Sequence, residues 1–542
     1  MSNANKIKQV LTGWYRQLDV PLLLLLCTIT YSSLLVKFAG LVLAFVLRPD
    51  FRFKAGKGRL PLFYPAMIVI GLIYCLTHYN TLTQNYTLAA LLSMLFWMVS
   101  FLTAHQLMLS VERSGSARAA NTITFFLLLN AAVSLAAIGA IMLETHTINP
   151  FMYAGMNYHY HVSTGDHILG IFRDVSTTNS CIMLLGFVFF FFRGKYGYSI
   201  LSLLIVLITT SNINNILLLV LCAGMLLFAR TRLTRTLVFC FLSMILFFLV
   251  KVTPNNLRYT LEKFHATALI GDLPTENSEL GIQHADEEAE NNTTAARYDS
   301  ELARENNIFR EITIKEALYR EKKKMEDISA DSEFIRQQQA SFRHNLVFSE
   351  KIYGDSLRSC TDNPSLQHKP GKWIAFDQTA RYWTQNFSHF LIGAGPGNFS
   401  SKVAFKASGF GIFGNYPSRY QRITPTFKDN HLKVLTYFFI QPPDKHSVMN
   451  TPFSVYNQLA GEYGLAGLLA FVFLYVGYFL RRYSRLSYGK LLIPVVLLML
   501  ATDYWFEQLS VVVIFELLLF IDMKKNETDS STVKKFAPSH DA

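Results

Sequence analysis

Apolar residues run through this chain in long unbroken stretches, and polar residues collect in short segments between them. Stretches long enough to span or nearly span a bilayer begin near residues 19, 36, 62, 87, 122, 177, 197, 214, 236, 453, 489 and 508. That pattern predicts an all-α polytopic membrane protein with about twelve transmembrane helices. Residues 19 to 47 read alternatively as one long tilted helix. Between 253 and 452 the pattern gives way to about two hundred mostly polar residues, the length of a domain rather than of a connection. The expected organisation is 1–252 with about nine helices, 253–452 as one large external loop domain, 453–523 with about three helices, and 524–542 as a tail.

Charge orients this arrangement. With the N-terminus inside, the segments "RPDFRFKAGKGR", "ERSGSAR", "RGK", "ARTRLTR", "RRYSRLSYGK" and "MKKNETDSSTVKK" all fall on the cytoplasmic face, as the positive-inside rule requires. The other face receives "HYNTLTQNY", residues 145–176, "TTSNINN", residues 253–452 and "DYWFEQ". Both termini are then cytoplasmic, and the basic start "MSNANKIKQVLTGWYRQ" reads as a retained end rather than a signal peptide.

Composition narrows the class. Of 542 residues 51% are hydrophobic and 16% charged, with 44 Phe, which excludes an ordinary soluble protein. The net charge of +12 sits largely in the short inter-helix segments, so topology accounts for it and no nucleic-acid partner is expected. Five of six cysteines lie in apolar runs and Cys360 stands alone in the polar region, so neither a disulfide framework nor a zinc spacing follows. The external domain is electrically divided. Residues 253–350 hold 19 acidic and 12 basic residues, whereas 351–450 hold 5 and 12. The acidic part, 284–345, alternates charge with apolar residues at helical spacing and reads as a solvated helical scaffold or lid. Asn-Asn-Thr-Thr at 291–294 matches a glycosylation sequon, a triplet common by chance.

Three external segments carry polar groups that a bare membrane scaffold does not need. In "FLIGAGPGNFSSKVAFKASG", residues 390–409, Gly393, Gly395 and Gly397 allow close backbone approach, successive N–H groups can cradle an anion, and Lys402 and Lys406 add positive charge. Simple turn formation is the competing reading. Upstream, Arg381 suits bidentate phosphate binding, with Tyr382 or Trp383 to stack on a sugar, or else forms a buried structural salt bridge. In "HYHVSTGDHILGIFRDVSTTNS", residues 159–180, Arg173 precedes a helix whose N-terminus offers an anion site, unless Arg173 serves lipid headgroups. The histidines His159, His161 and His167 lack a completing carboxylate or cysteine set, so no metal and no cofactor are expected. The third segment contributes Arg419, Arg422, His431 and His446, then a helix bearing Glu462 among small residues. An ionisable group in such a run is a candidate for chemistry or for inter-helix hydrogen bonding.

Together these segments resemble the O-antigen polymerase and O-antigen ligase superfamily of bacterial membrane proteins. "GIFRDVSTTNS" is similar to that family's Gly-x-Phe-x-(Asp/Asn)-Pro-(Asn/Ser) stretch, "FLIGAGPGNFSS" to its Gly-x-Gly-x-Gly-Asn-Phe element, and "YNQLAGEYGLAGLLAF" to its Glu with Gly-Leu-x-Gly helix start. The resemblance covers about residues 160–475. It implies a GT-C-like helical fold in the bacterial inner membrane that acts without a metal at the periplasmic face. The implied donor is a glycan on undecaprenyl pyrophosphate, and a glycan or lipid acceptor would attack its anomeric carbon. Membrane lipids and a chain-length regulator are the further partners.

Two departures bear on the subtype. The family's ligases place a histidine eleven residues before the glycine that follows the Glu, and that position here is Phe453. The arginine three residues before the first Gly is here His167, with Arg173 as a replacement. Polymerase is therefore the leading expectation and ligase the runner-up. Arg173, Arg381, His431, His446 and Glu462 are the catalytic candidates, and Lys402, Lys406, Arg419, Arg422, His167 and the three glycines the substrate contacts. A flippase without chemistry and a regulatory scaffold are the alternatives from other classes; no internal repeat supports the former.

Overall fold

The computed structural model describes residues 17–53, 60–78, 84–152, 164–228, 231–254, 369–409, 414, 416–440 and 447–536. All of these fall within the unit formed by 1–266 and 353–542. The acidic segment 284–345, the sequon at 291–294, Cys360, His159, His161 and His446 lie outside the described residues.

Among the described residues the structure is helical, with no β-strand. Three helices are long and apolar enough to cross a membrane, Tyr86–Thr145, Arg232–Val252 and Val448–Leu480, and seven shorter apolar helices accompany them. Many large apolar side chains face outward, among them Leu35, Leu76, Leu143, Leu227 and Phe473. A surface of that kind suits lipid rather than water.

Residues 19–47 form two helices, α1 (Val20–Ile29) and α2 (Leu34–Leu47), packed on each other. Asp19 caps α1, its carboxylate accepting from Leu22 N at 3.2 Å. Ten residues rise about 15 Å, half of a bilayer core, so α1 is too short to be a full span. After α3 (Phe63–Thr77) comes the 62-residue α4 (Gln84–Thr145). It breaks at Gly115, whose φ of 82° and ψ of 154° lie outside the helical region, inside the segment "ERSGSAR". The polar groups around the break are tied to earlier segments. Arg113 meets Asp50 at 2.7 Å, Ser114 donates to Asp19 at 2.8 Å, and Arg48 pairs with Asp19.

Next come α5 (Ser176–Phe192), α6 (Tyr196–Ile208), α7 (Asn212–Phe228) and α8 (Arg232–Phe247). Helix α5 is buried along Ser176–Phe191, including the run "FVFFF", so it is a central helix rather than a lipid-facing one. Apolar packing against lipid gives such a helix no hydrophobic driving force, and inter-helix hydrogen bonds of about 1 kcal/mol each become significant. Helices α4 and α5 share them. Asn130 donates to Asn179 at 2.7 Å, and Asn179 donates to Ser134 and to the Ile168 carbonyl, both at 2.9 Å.

The later elements are α9 (Gly371–Gln385), α10 (Phe387–Ile392), α11 (Lys402–Ala407), α12 (Lys433–Ile440), α13 (Val455–Ala470), α14 (Gly489–Met499), α15 (Trp505–Gln508) and α16 (Ser510–Phe536). Helix α16 is buried from Ser510 to Met523 and packs on α4 and α5. Helices α9 and α10 pack on the start of α13, which sets the glycine-rich loop against that helix.

Candidate functional site

The glycine-rich loop does hold a carboxyl group, and that group belongs to the protein. Gly397 N donates to Glu462 Oε2 at 2.8 Å, while Phe399 N and Ser400 N donate to Oε1 at 3.3 and 3.1 Å. Two further bonds lock loop to helix, Ala394 N to the Gly461 carbonyl at 2.8 Å and Gly395 N to the Glu462 carbonyl at 3.0 Å. Glycine is required on both sides of this junction. Gly393 and Gly464 have φ of 73° and 61°, and a Cβ on Gly464 would lie 2.6 Å from the Leu391 carbonyl carbon. The expected roles are corrected accordingly. Glu462 is buried with both oxygens engaged and does not line the large cavity described below, and the N–H groups at 397, 399 and 400 are taken up by its carboxyl group.

The loop leads directly into a different site. Ser401 caps α11, accepting from Ala404 N at 3.0 Å, and Ser400 Oγ lies 2.9 Å from the Tyr504 hydroxyl. Helix α11 thereby turns Lys402 and Lys406 into a cavity of about 850 Å³. Arg173 and Asp174 reach it from the turn before α5, Lys37 from α2, and Asp503 and Glu507 from the strip before α16. Tyr416, Phe438 and Phe453 add aromatic wall, while Leu34, Leu35, Leu92 and Phe96 add an apolar one. Four cationic side chains thus face three carboxylates in one chamber.

Arg173 owes its position to two pinned neighbours. Ile171 N donates to Asn130 Oδ1 at 3.0 Å, and the buried Phe172 accepts from Ser32 N at 3.1 Å through its carbonyl. Between them and α5 the backbone of Arg173 is left-handed, with φ of 47°. For a non-glycine residue that conformation costs on the order of 1 kcal/mol and is held only by its surroundings. Asp174 then accepts from Thr178 Oγ1 at 3.0 Å. His167 is exposed two residues before Leu169 and does not line the cavity.

The carboxylates are buried but supported. Glu507 Oε1 accepts from Gln458 Nε2 at 2.7 Å, and Asp503 Oδ1 accepts from Tyr504 N at 2.7 Å. Burial raises the pKa of Asp503, and the positive charge of Lys402 opposes that rise. Lys406 is pulled the other way, its pKa lowered by burial and then by Lys402, with its ammonium 5.3 Å from the Tyr416 ring centre. Burial in the cavity thus moves the Asp503 carboxyl up and the Lys406 ammonium down.

Other expected residues lie elsewhere. Arg381 points outward on α9 and pairs with Asp377 one turn earlier at 2.7 Å; Trp383 donates to the Ala460 carbonyl at 2.9 Å, and Tyr382 is buried against His389. The expected buried salt bridge is corrected: the pair is exposed on the surface of α9. Arg419 lies exposed over Tyr420, and Arg422 lies over Tyr86 beside a small crevice with Gly397 and Asn398.

His431 is a core histidine. Its Nε2 is 3.1 Å from the Ala375 carbonyl and 3.2 Å from Thr379 Oγ1, and its ring packs on Phe399. The carbonyl can only accept, which places the proton on Nε2. Burial lowers its pKa from 6.5 to about 4, with the nearby Lys372 acting in the same sense. Between those values the unfolded chain binds a proton that the folded one refuses, so stability falls as pH drops from about 6.5 and levels off below about 4. The gap corresponds to about 3 kcal/mol. His431→Gln is expected to flatten that part of a melting-temperature profile against pH, and an unchanged slope would contradict the assignment.

Sequence reasoning passed over Lys37, Lys372, Asp503 and Glu507. Lys37 carried a readable signal, a lone charge inside "LLVKFAGLVL". "DYWFEQ" was read only as an external turn, because nothing local shows that it folds back to wall a cavity. Comparisons with known proteins return no match to a family model, to a curated protein or to a solved structure.

Proposed function

We propose that this chain is a polymerase-type glycosyltransferase that joins undecaprenyl-pyrophosphate-linked glycan units at the periplasmic face of a bacterial inner membrane. One observation supports the reading above the others: a cavity of about 850 Å³ gathers Arg173, Lys402 and Lys406 opposite the buried carboxylates Asp503 and Glu507, beside an apolar wall. Those groups match the demands of the reaction. In the proposed step, a carboxylate of Asp503 or Glu507 takes the proton from an acceptor hydroxyl, and that oxygen forms a bond to the anomeric carbon of the donor. The bond from that carbon to the pyrophosphate oxygen breaks, and its electron pair leaves with the lipid pyrophosphate. Arg173, Lys402 and Lys406 stabilise the charge developing there, where pre-oriented cations act most strongly. The apolar residues Leu34, Leu35, Leu92 and Phe96 suit the first part of the lipid tail.

A ligase that moves finished glycan to a lipid acceptor is the second reading. Phe453 bears on it. At the position where the resembled ligases carry histidine, an aromatic ring packs at 5.1 Å on Phe405 and 5.4 Å on Tyr504 and faces the cavity without a base. This favours the polymerase. The test is the lipid-linked and surface glycan of a deletion strain of the native host. Single repeat units in place of long chains are expected. Long lipid-linked chains that never reach an acceptor would favour the ligase, and an unchanged profile would overturn both.

A further inference from the structure

The strip from Thr502 to Leu509 carries both cavity carboxylates, and a buried lysine binds it at each end. At its start Lys372, from α9, donates to the carbonyls of Phe453 at 2.5 Å, Thr502 at 3.0 Å and Thr451 at 3.5 Å. At its end Lys37, from α2, donates to the carbonyls of Gln508 at 2.5 Å and Ile29 at 2.9 Å. Leu509 then takes a left-handed φ of 67°, a conformation that needs such restraint in a non-glycine residue. Lys372 and Lys37 are each only 4% exposed.

Removing an ammonium from water is costly, and a neutral amide could bond only two of these three carbonyls. The lysine also brings an ionisable group to the cavity wall, which points to a function beyond the hydrogen bonds. Its acceptors point to one. Thr502 immediately precedes Asp503, and Thr451, Phe453 and Thr502 all line the cavity. Resting on the transfer reading above, we propose that Lys372 is a positioning residue. It fixes the backbone that presents Asp503 and favours the ionised carboxylate that accepts the proton of the attacking hydroxyl. Lys372 reaches Asp503 through the carbonyl of the preceding residue, Thr502, and the groups acting on the carboxyl itself are Lys402, Asp174, Cys181, Tyr504 and Gln508. Two of these carry charge, Lys402 favouring the carboxylate and Asp174 opposing it. Burial lowers the pKa of Lys372 while the charge of Asp503 raises it, the reciprocal of the same relation.

The experiment uses the full-length protein in lipid nanodiscs, with variants Lys372→Gln and Lys372→Arg. Lys372→Gln removes the charge and keeps two N–H donors for the three carbonyls, on a side chain one atom shorter, so its folding is checked by melting temperature beside Lys372→Arg, which keeps the charge. The Asp503 carboxyl is followed by infrared difference spectroscopy against pH, its band identified by loss in Asp503→Asn. Transfer from a lipid-linked donor is measured in parallel. In Lys372→Gln the band is expected to titrate about one pH unit higher. The acid limb of kcat should move with it, and kcat should fall about tenfold with KM for the donor unchanged. Lys372→Arg should return the band toward its original position. A band and acid limb that stay in place in folded Lys372→Gln overturn the proposal, whatever happens to the melting temperature, because a purely architectural lysine would behave that way. Wild-type protein that transfers nothing, yet shows the band shift, overturns the function while demonstrating the coupling of Lys372 to Asp503.

Discussion

Replacing Glu462 by alanine should destabilise the folded protein by on the order of 3 to 5 kcal/mol. Three loop N–H groups lose their carboxyl acceptor at once at a buried site, and each orphaned donor costs about 1 kcal/mol or more. Glu462→Gln should fall between, because its amide oxygen accepts while its NH₂ group meets N–H donors head on. Equilibrium unfolding in detergent measures both. The loss of transfer should follow from displacement of α11, so binding of the lipid donor and the fraction folded should fall together. A Glu462→Ala protein with normal stability but no transfer would instead return Glu462 to the role of base.

Arg173→Ala should reduce transfer about 10²- to 10³-fold, the range for deleting one pre-oriented group that meets developing charge. Arg381→Ala should change it by less than about twofold. The contrast is what carries information, since both residues are arginines in external segments. Arg173 faces the chamber from a strained backbone, whereas Arg381 is 77% exposed and already paired with Asp377. Lys should substitute poorly at 173, because a flexible ammonium does not reproduce a planar fork. Equal losses in Arg173→Ala and Arg381→Ala would move the chemistry away from the cavity.

The helical, apolar character of the chain was legible from pattern alone, because long apolar runs admit little else. The pairing of 393–400 with 461–464 was half legible. Glycines and a glutamate stood out in both segments, but contiguous sequence cannot say that one will serve as ligand for the other across more than sixty residues. Lys402, Lys406 and Arg173 stand out in sequence because their surroundings suggest an anion site, and they line one cavity. Arg381 was overvalued for the same reason: its composition suited phosphate, and only the outward direction of α9 at that turn removes it. Asp503 and Glu507 were invisible as a site because their meaning comes from Lys372 and Lys37, which lie about 130 and 470 residues away along the chain. Long-range carbonyl contacts leave no periodicity.

The clasp between loop and helix also sets an order of events during synthesis. When residues 393–400 emerge, their partner at 461–464 does not yet exist, so the turn has positive-φ glycines and open N–H groups but nothing to close on. It becomes a defined turn only when the next apolar helix has been made and enters the membrane, and that helix in turn is followed closely by the strip bearing Asp503 and Glu507. A chain arrested before residue 461 would therefore present an unfinished turn to the cell's proteases, whereas one extended past 464 would hide it. The loop that leads into α11 and its two lysines thus finds its carboxyl acceptor only in molecules that have already made the glutamate.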